Sequence, residues 1–246
     1  RVNEVKLGLG DNEVETNELK DVIVHEGDIV MNQTLYDHLV SHSNKSDKRS
    51  TYYHHMYLWT SKIIPYEIET SMTSAVAKLI DMALADIQAK TCLSFRERTR
   101  ETNWIRFTRQ RGCWSNVGRQ SEYLGAQNIS IGAGCDLLGI VQHEVMHALG
   151  FFHEQSRPDR DAYVSIYWEN ILPGQEMNFI RYPKDAIATL DLQYDYESVL
   201  HYGNNFFSKN GQPTILATAM PSITLGQRNA MSKLDYAKIN VLYDCK

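Results

Sequence analysis

His143 and His147 stand four residues apart, with Glu144 beside the first and a third histidine, His153, six residues past the second. On an α-helix of about 3.6 residues per turn, positions i and i+4 project from one face, so two imidazoles there can close on one ion. Zinc suits such ligands, at bond lengths of about 2.0–2.1 Å. Glu144 lies beside that ion without having to bind it, where a proton-carrying carboxylate is useful. On a continuing helix His153 would sit about 9 Å further along the axis, out of reach. Gly150 removes the obstacle, because glycine takes the left-handed backbone that ends a helix and turns the chain back. An ordinary amphipathic helix would account for Val145, Met146, Ala148 and Leu149 as core. It would not account for the glycine and third histidine in this order.

Three neutral ligands leave zinc its full charge and an open position, where water becomes acidic near neutral pH. The chemistry implied is metal-assisted hydrolysis, with Glu144 as general base and later proton donor to the leaving group. A purely structural zinc site usually closes with four side chains, often cysteines. The four cysteines here, Cys92, Cys113, Cys135 and Cys245, form no close pair. A catalytically silent binding or adhesion protein is the alternative, but it would be expected to have lost Glu144 or a ligand, and all four are present.

Those residues need a helix over about 138–149. Before it, Val76, Leu79, Ile80, Ala83, Leu84 and Ile87 recur at helical spacing, with Thr73 or Ser74 as cap. Strands are predicted at Tyr57-Leu-Trp59, 63–68, 93–95, 104–108 and 127–131. After Asp161 the pattern weakens, with a short apolar stretch at 163–168 and a closing helix over 232–243. Residues 1–49 are polar, hold no cysteine and end in a linker-like run closed by Lys48-Arg49. They cannot build a core and are expected to lie on the main domain or to be disordered.

The whole sequence bounds the rest. Its 246 residues suit one large domain, 43% hydrophobic residues suffice for a sizeable core, and a net charge of -5 argues against nucleic-acid or anionic-membrane partners. No apolar run approaches the roughly 20 residues of a membrane span. The first residue is Arg1 and no signal-peptide core is visible, so a leader is expected to have been removed or left out. An even number of widely spaced cysteines suits two disulfides, with three pairings open. Sequons at Asn32, Asn44 and Asn128 fit a secreted glycoprotein in an oxidising compartment.

The stretch Gly139-Ile-Val-Gln-His-Glu-Val-Met-His-Ala-Leu-Gly-Phe-Phe-His-Glu-Gln-Ser-Arg-Pro-Asp-Arg-Asp161 resembles the zinc signature of the astacin family of secreted metalloendopeptidases, within the metzincin clan. Tyr57-Leu-Trp59, Ile64-Pro-Tyr66, Gly112-Cys-Trp-Ser115, Val117-Gly-Arg119, Tyr163-Val164 and Trp168-Glu-Asn-Ile171 are similar too. The similarity covers 50–246 nearly end to end, and 1–49 resembles the family's propeptide. The resemblance implies an α+β catalytic domain of two subdomains, 50–246, with the cleft between them and a strand at 127–131 on its rim for pairing with substrate. It implies one catalytic zinc held by His143, His147 and His153, Glu144 as general base, and Tyr202 as a further ligand that swings away. In Ser198-Val-Leu-His-Tyr202, Leu200 replaces the turn's usual methionine, a nearly volume-conserving change. The implied disulfides are Cys92–Cys245 and Cys113–Cys135. His25-Glu-Gly-Asp28 is similar to the family's inhibitory motif, usually opened by phenylalanine, and Asp28 would take the zinc in the latent form. A trypsin-like protease cutting after Arg49 would free the Ser50 ammonium to fold towards Glu154. Substrates would be proteins or peptides, and the setting extracellular.

Overall fold

The computed structural model describes residues 22–41, 57–121, 124–184, 187 and 189–246. An N-terminal hairpin, β1 (Val22–His25) and β2 (Ile29–Asn32), leads into helix α1 (Gln33–Ser41). The main domain follows with β3 (Ile63–Ile68), α2 (Ser74–Lys90), β4 (Ser94–Glu97), β5 (Asn103–Thr108), β6 (Cys113–Asn116), β7 (Gly125–Ile131) and α3 (Leu138–Ala148). Beyond α3 the chain runs mostly through short 3-10 turns. It holds one small sheet of β8 (Val164–Ile166) with β9 (Ile215–Ala217) and a closing helix α4 (Lys233–Leu242).

The strands join in one seven-stranded sheet of order β1-β2-β6-β7-β5-β3-β4. Its apolar face packs against α2 and α3. Helix α2 starts at Thr73, whose hydroxyl accepts from Val76 N, and buries Val76, Ile80, Ala83, Leu84 and Ile87. Helix α3 differs: every residue from Gly139 to Ala148 is buried. A helix enclosed on all sides must pair its polar groups internally, which sets the stage for His143, Glu144 and His147. Gly139 is required at its start, because a Cβ there would lie 2.4 Å from the backbone of Arg228. At the other end, Trp59 Nε1 donates to Ala148 O and the Tyr243 hydroxyl to Leu149 O, each at 2.9 Å. These bonds satisfy carbonyls that a helix end leaves open.

Helix α4 opens with a capping box between Ser232 and Asp235. The buried Asp235 carboxylate also accepts from Ser198 Oγ at 2.6 Å and Val199 N at 3.0 Å, tying this helix to the 198–202 turn. Disulfides Cys92–Cys245 and Cys113–Cys135, with Cα separations of 5.3 and 5.9 Å, fasten the C-terminus to the end of α2 and β6 to the loop before α3.

The structure corrects two expectations. Tyr57-Leu-Trp59 is a buried turn, not a strand. The 127–131 strand, within β7, is not on a rim: it is hydrogen-bonded to β5 on one side and β6 on the other. The outward edge of the main domain's sheet is β6, and β2 lies along it in parallel through Ile29↔Ser115 and Val30↔Asn116. The segment 22–41 takes the first of its two expected courses and lies on the main domain, as two strands and a helix that share an apolar cluster with it.

Candidate metal centre and active site

Helix α3 ends one residue after His147. Gly150 takes φ +103° and donates to His147 O, and Phe151 N reaches back to Met146 O, so the chain reverses and returns His153 towards the helix. Ligand atoms of Asp28, His143, His147 and His153 all lie within 4.8 Å of one another. Asp28 comes from the turn between β1 and β2. Its carboxylate oxygens stand 3.0 Å from His143 Nε2, 3.8 Å from His147 Nε2 and 3.3 Å from His153 Nε2.

The far side of each ring fixes what faces inward. His143 Nδ1 donates to Val199 O at 2.6 Å, and His147 Nδ1 to Phe151 O at 2.7 Å. A carbonyl only accepts, so both Nδ1 atoms carry the hydrogen and both Nε2 atoms present lone pairs. Those two nitrogens face one another at 3.0 Å. Two lone pairs at that distance repel unless a cation lies between them. Tetrahedral zinc would hold two such nitrogens about 3.3 Å apart. His153 Nε2 and Asp28 Oδ1 are likewise buried without hydrogen-bond partners. The donor set fits zinc.

Charge is arranged around this point. Burial raises the Glu144 carboxyl well above the usual range, the Asp28 charge adds to it, and Arg228 opposes. Glu144 Oε2 is buried and makes no hydrogen bond, leaving a proton acceptor beside the histidines with no structural task. Burial lowers His153, but the Asp28 and Glu26 carboxylates raise it more, to about 9. Against burial, which raises it, His153 and His143 hold Asp28 well below its ordinary value.

The sequence reading passed over Glu26. Its side chain is buried, with Oε2 at 2.7 Å from His153 Nδ1 and Oε1 accepting from the Ser156 hydroxyl. Its backbone carbonyl accepts from the Tyr202 hydroxyl at 2.6 Å. Tyr202, expected as a further ligand, therefore has its hydroxyl engaged by the N-terminal segment. Glu26 adopts φ +52°, unusual for a side-chain-bearing residue, and these three contacts hold it there. Gly27 follows at φ +86°, where a Cβ would press on the Phe207 ring at 3.0 Å. A carboxylate two residues before Asp28 was the available signal. His25 is buried edge-on to the rings of Tyr36 and Tyr182, at 5.5 and 6.1 Å, filling an aromatic position.

Glu154 does not await a partner. It accepts from Lys238 Nζ at 2.6 Å, Arg157 Nη1 at 3.1 Å and Asp195 N at 2.8 Å. Leu200 is buried behind the site, and its carbonyl accepts from Glu154 N. Asn32 Oδ1 caps α1 through Leu35 N, and Asn128 lies in β7 with its Oδ1 buried, each side chain half-buried. Arg49, Ser50 and Asn44 fall outside the described residues.

Three histidines around one point, a buried carboxyl beside them and a mixed sheet above the metal helix define a zinc metallopeptidase domain. Residues 51–244 match the sequence model of Astacin, a peptidase family. The chain belongs to the astacin family, whose members use one zinc ion. It is 42% identical over 189 residues to zinc metalloproteinase nas-15 of Caenorhabditis elegans, covering 76% of this chain and 32% of that protein. It is 43% identical over 190 residues to meprin A subunit beta of Homo sapiens, covering 77% and 27%. Among solved structures, high choriolytic enzyme 1, a hatching enzyme zinc-protease from the medaka Oryzias latipes, superposes with a TM-score of 0.72 at 39% identity, over 82% of this chain and 98% of that one. The chain thus spans about a third or less of the first two relatives' length. Among the described residues, no helix is long and apolar enough to cross a membrane.

Proposed function

We propose that this chain is the latent form of an extracellular zinc endopeptidase acting on protein or peptide substrates, with residues 1–49 as propeptide and 50–246 as catalytic domain. The observation that carries the latency is the Asp28 carboxylate set among His143, His147 and His153. Zinc at those residues supplies a Lewis acid that acidifies water and polarises a carbonyl. Glu144, its proton affinity raised by burial, takes the proton of the attacking water and delivers it to the departing nitrogen. Tyr202, once its hydroxyl is released from the Glu26 carbonyl, would donate to the oxyanion and could serve as a further metal ligand.

Three features support the block. Asp28 occupies the position that water needs, Glu26 holds His153 and Tyr202 from behind, and β2 covers the β6 edge on which an extended peptide would pair. Cleavage after Arg49 by a trypsin-like protease frees the segment, and its departure removes all three. The Ser50 ammonium then joins a Glu154 network already holding Lys238 and Arg157, so its part is to order the nearby chain and not to rescue a lone carboxylate. Hydrolysis of a quenched fluorescent peptide tests the reading: none before trypsin, rapid after it, and none with a chelator. Equal rates before and after trypsin would remove the latent-form reading. A trypsin-treated protein that binds peptides without cutting them would favour the silent binding protein.

A further inference from the structure

Val117, Tyr182 and Ile187 of the main domain are buried in one apolar cluster with Ile29, Met31, Leu35 and Leu39 of the N-terminal segment, and Phe152 and Ile180 pack at its margin. The other partly buried members, Ile23 and Tyr36, also come from the N-terminal segment. That segment is the apolar cover of these five main-domain side chains. The cover is also extended chain in register with the main domain. Ser115 N donates to Asp28 O, Asn116 Nδ2 to Val30 O, and Ile29 and Val30 stand opposite Ser115 and Asn116. Successive strand residues point to opposite faces, so Ile29 and Met31 share one face, and both are buried, at 0% and 1% exposure. The segment thus does what a strand-adding peptide does: its main chain pairs with a sheet edge and alternate side chains enter a pocket.

We propose that Val117, Phe152, Ile180, Tyr182 and Ile187 form a substrate subsite for large apolar side chains, which Ile29 and Met31 fill in the latent protein. This rests on the reading that the segment leaves on activation. Asp28 marks the metal, where the scissile carbonyl must come. With a rise of about 3.3 Å per strand residue, Ile29 and Met31 lie about 3 and 10 Å along the chain from it. The preferred side chain therefore stands one to three residues from the cleaved bond, on one side of it. Tyr182 supplies the floor, its ring meeting Phe152 at 5.2 Å.

The test is cleavage of a peptide library by the trypsin-activated protein, followed by rates on peptides with Leu, Ile, Met, Phe or Ser at the enriched position. The apolar residues are expected to raise kcat/KM over Ser at least tenfold, on the order of what burying one large apolar side chain is worth. Ile187→Ala and Val117→Ala should reduce that ratio, each compared with the variant's own rate on the Ser peptide. Ile187→Lys should turn the preference towards acidic side chains. Similar rates for Ser and Leu at all these positions, or a preference unmoved in all three variants, would overturn the subsite. No cleavage of any peptide would overturn the functional reading beneath it as well.

Discussion

Two carboxylates of similar burial have opposite tasks at this site. Glu144 holds nothing, and its freedom is its use: Glu144→Gln keeps the shape but cannot take a proton. Turnover in the activated variant is expected to fall by two orders of magnitude or more, in the range of general-base losses, while metal analysis still finds one zinc per chain. Near-normal turnover would end the proposed mechanism. Glu26 holds His153 and, through its backbone, Tyr202. Glu26→Gln retains an acceptor for the imidazole and loses the charge. The uncut variant is expected to leak activity on the order of tenfold above its parent, and Asp28→Ala more, since a charged hydrogen bond is worth roughly twice a neutral one. A Glu26→Gln protein as silent as its parent would assign the whole block to Asp28. His143, Glu144, His147 and His153 were legible because helix periodicity and one glycine relate them within eleven residues. Glu26 was not, because its partner His153 lies 127 residues away and no local pattern reports such a contact.

Among elements, α2 and α4 follow from apolar spacing and from their capping residues, Thr73 and Ser232, and α3 from the spacing of its histidines. Sheet order was the hidden part. Alternation shows that β7 is a strand but not which strands flank it, and the edge role fell to β6, read only as a cysteine-bearing motif. The 198–202 turn joins elements instead of forming one. Its Val199 carbonyl orients His143, and Leu200 fills the core behind it. Leu200→Met nearly conserves volume, so stability should change by less than about 1.5 kcal/mol and turnover only modestly. A rise in turnover by orders of magnitude would mark Leu200 as a defect in the site. Helix α4 is coupled to the third histidine through Lys238 and Glu154, a pair buried on both sides. Lys238→Met leaves that carboxylate with Arg157 as its one cation beside the Asp195 N–H, and denaturant unfolding should register a loss of about 3 kcal/mol. No loss would mean that Arg157 carries the charge by itself.

At the scale of the whole molecule, the fold class was legible through the motifs that carry the family resemblance, whereas the seating of 22–41 was not. That segment has too few apolar residues to fold alone and acquires its structure from Val117, Tyr182 and Ile187 across the boundary. Its place in the sheet has a kinetic consequence. While the chain is whole, β2 meets β6 within one molecule, at an effective concentration on the order of millimolar. Cutting the linker changes none of the contacts; it changes only the concentration against which they compete. Activation should therefore be a dilution event: the freed fragment stays seated in concentrated protein and departs in dilute protein. A trypsin-cut sample should gain specific activity on dilution and lose it when a synthetic 22–41 peptide is added back. Activity independent of dilution would show that the fragment is cut further before it can rebind.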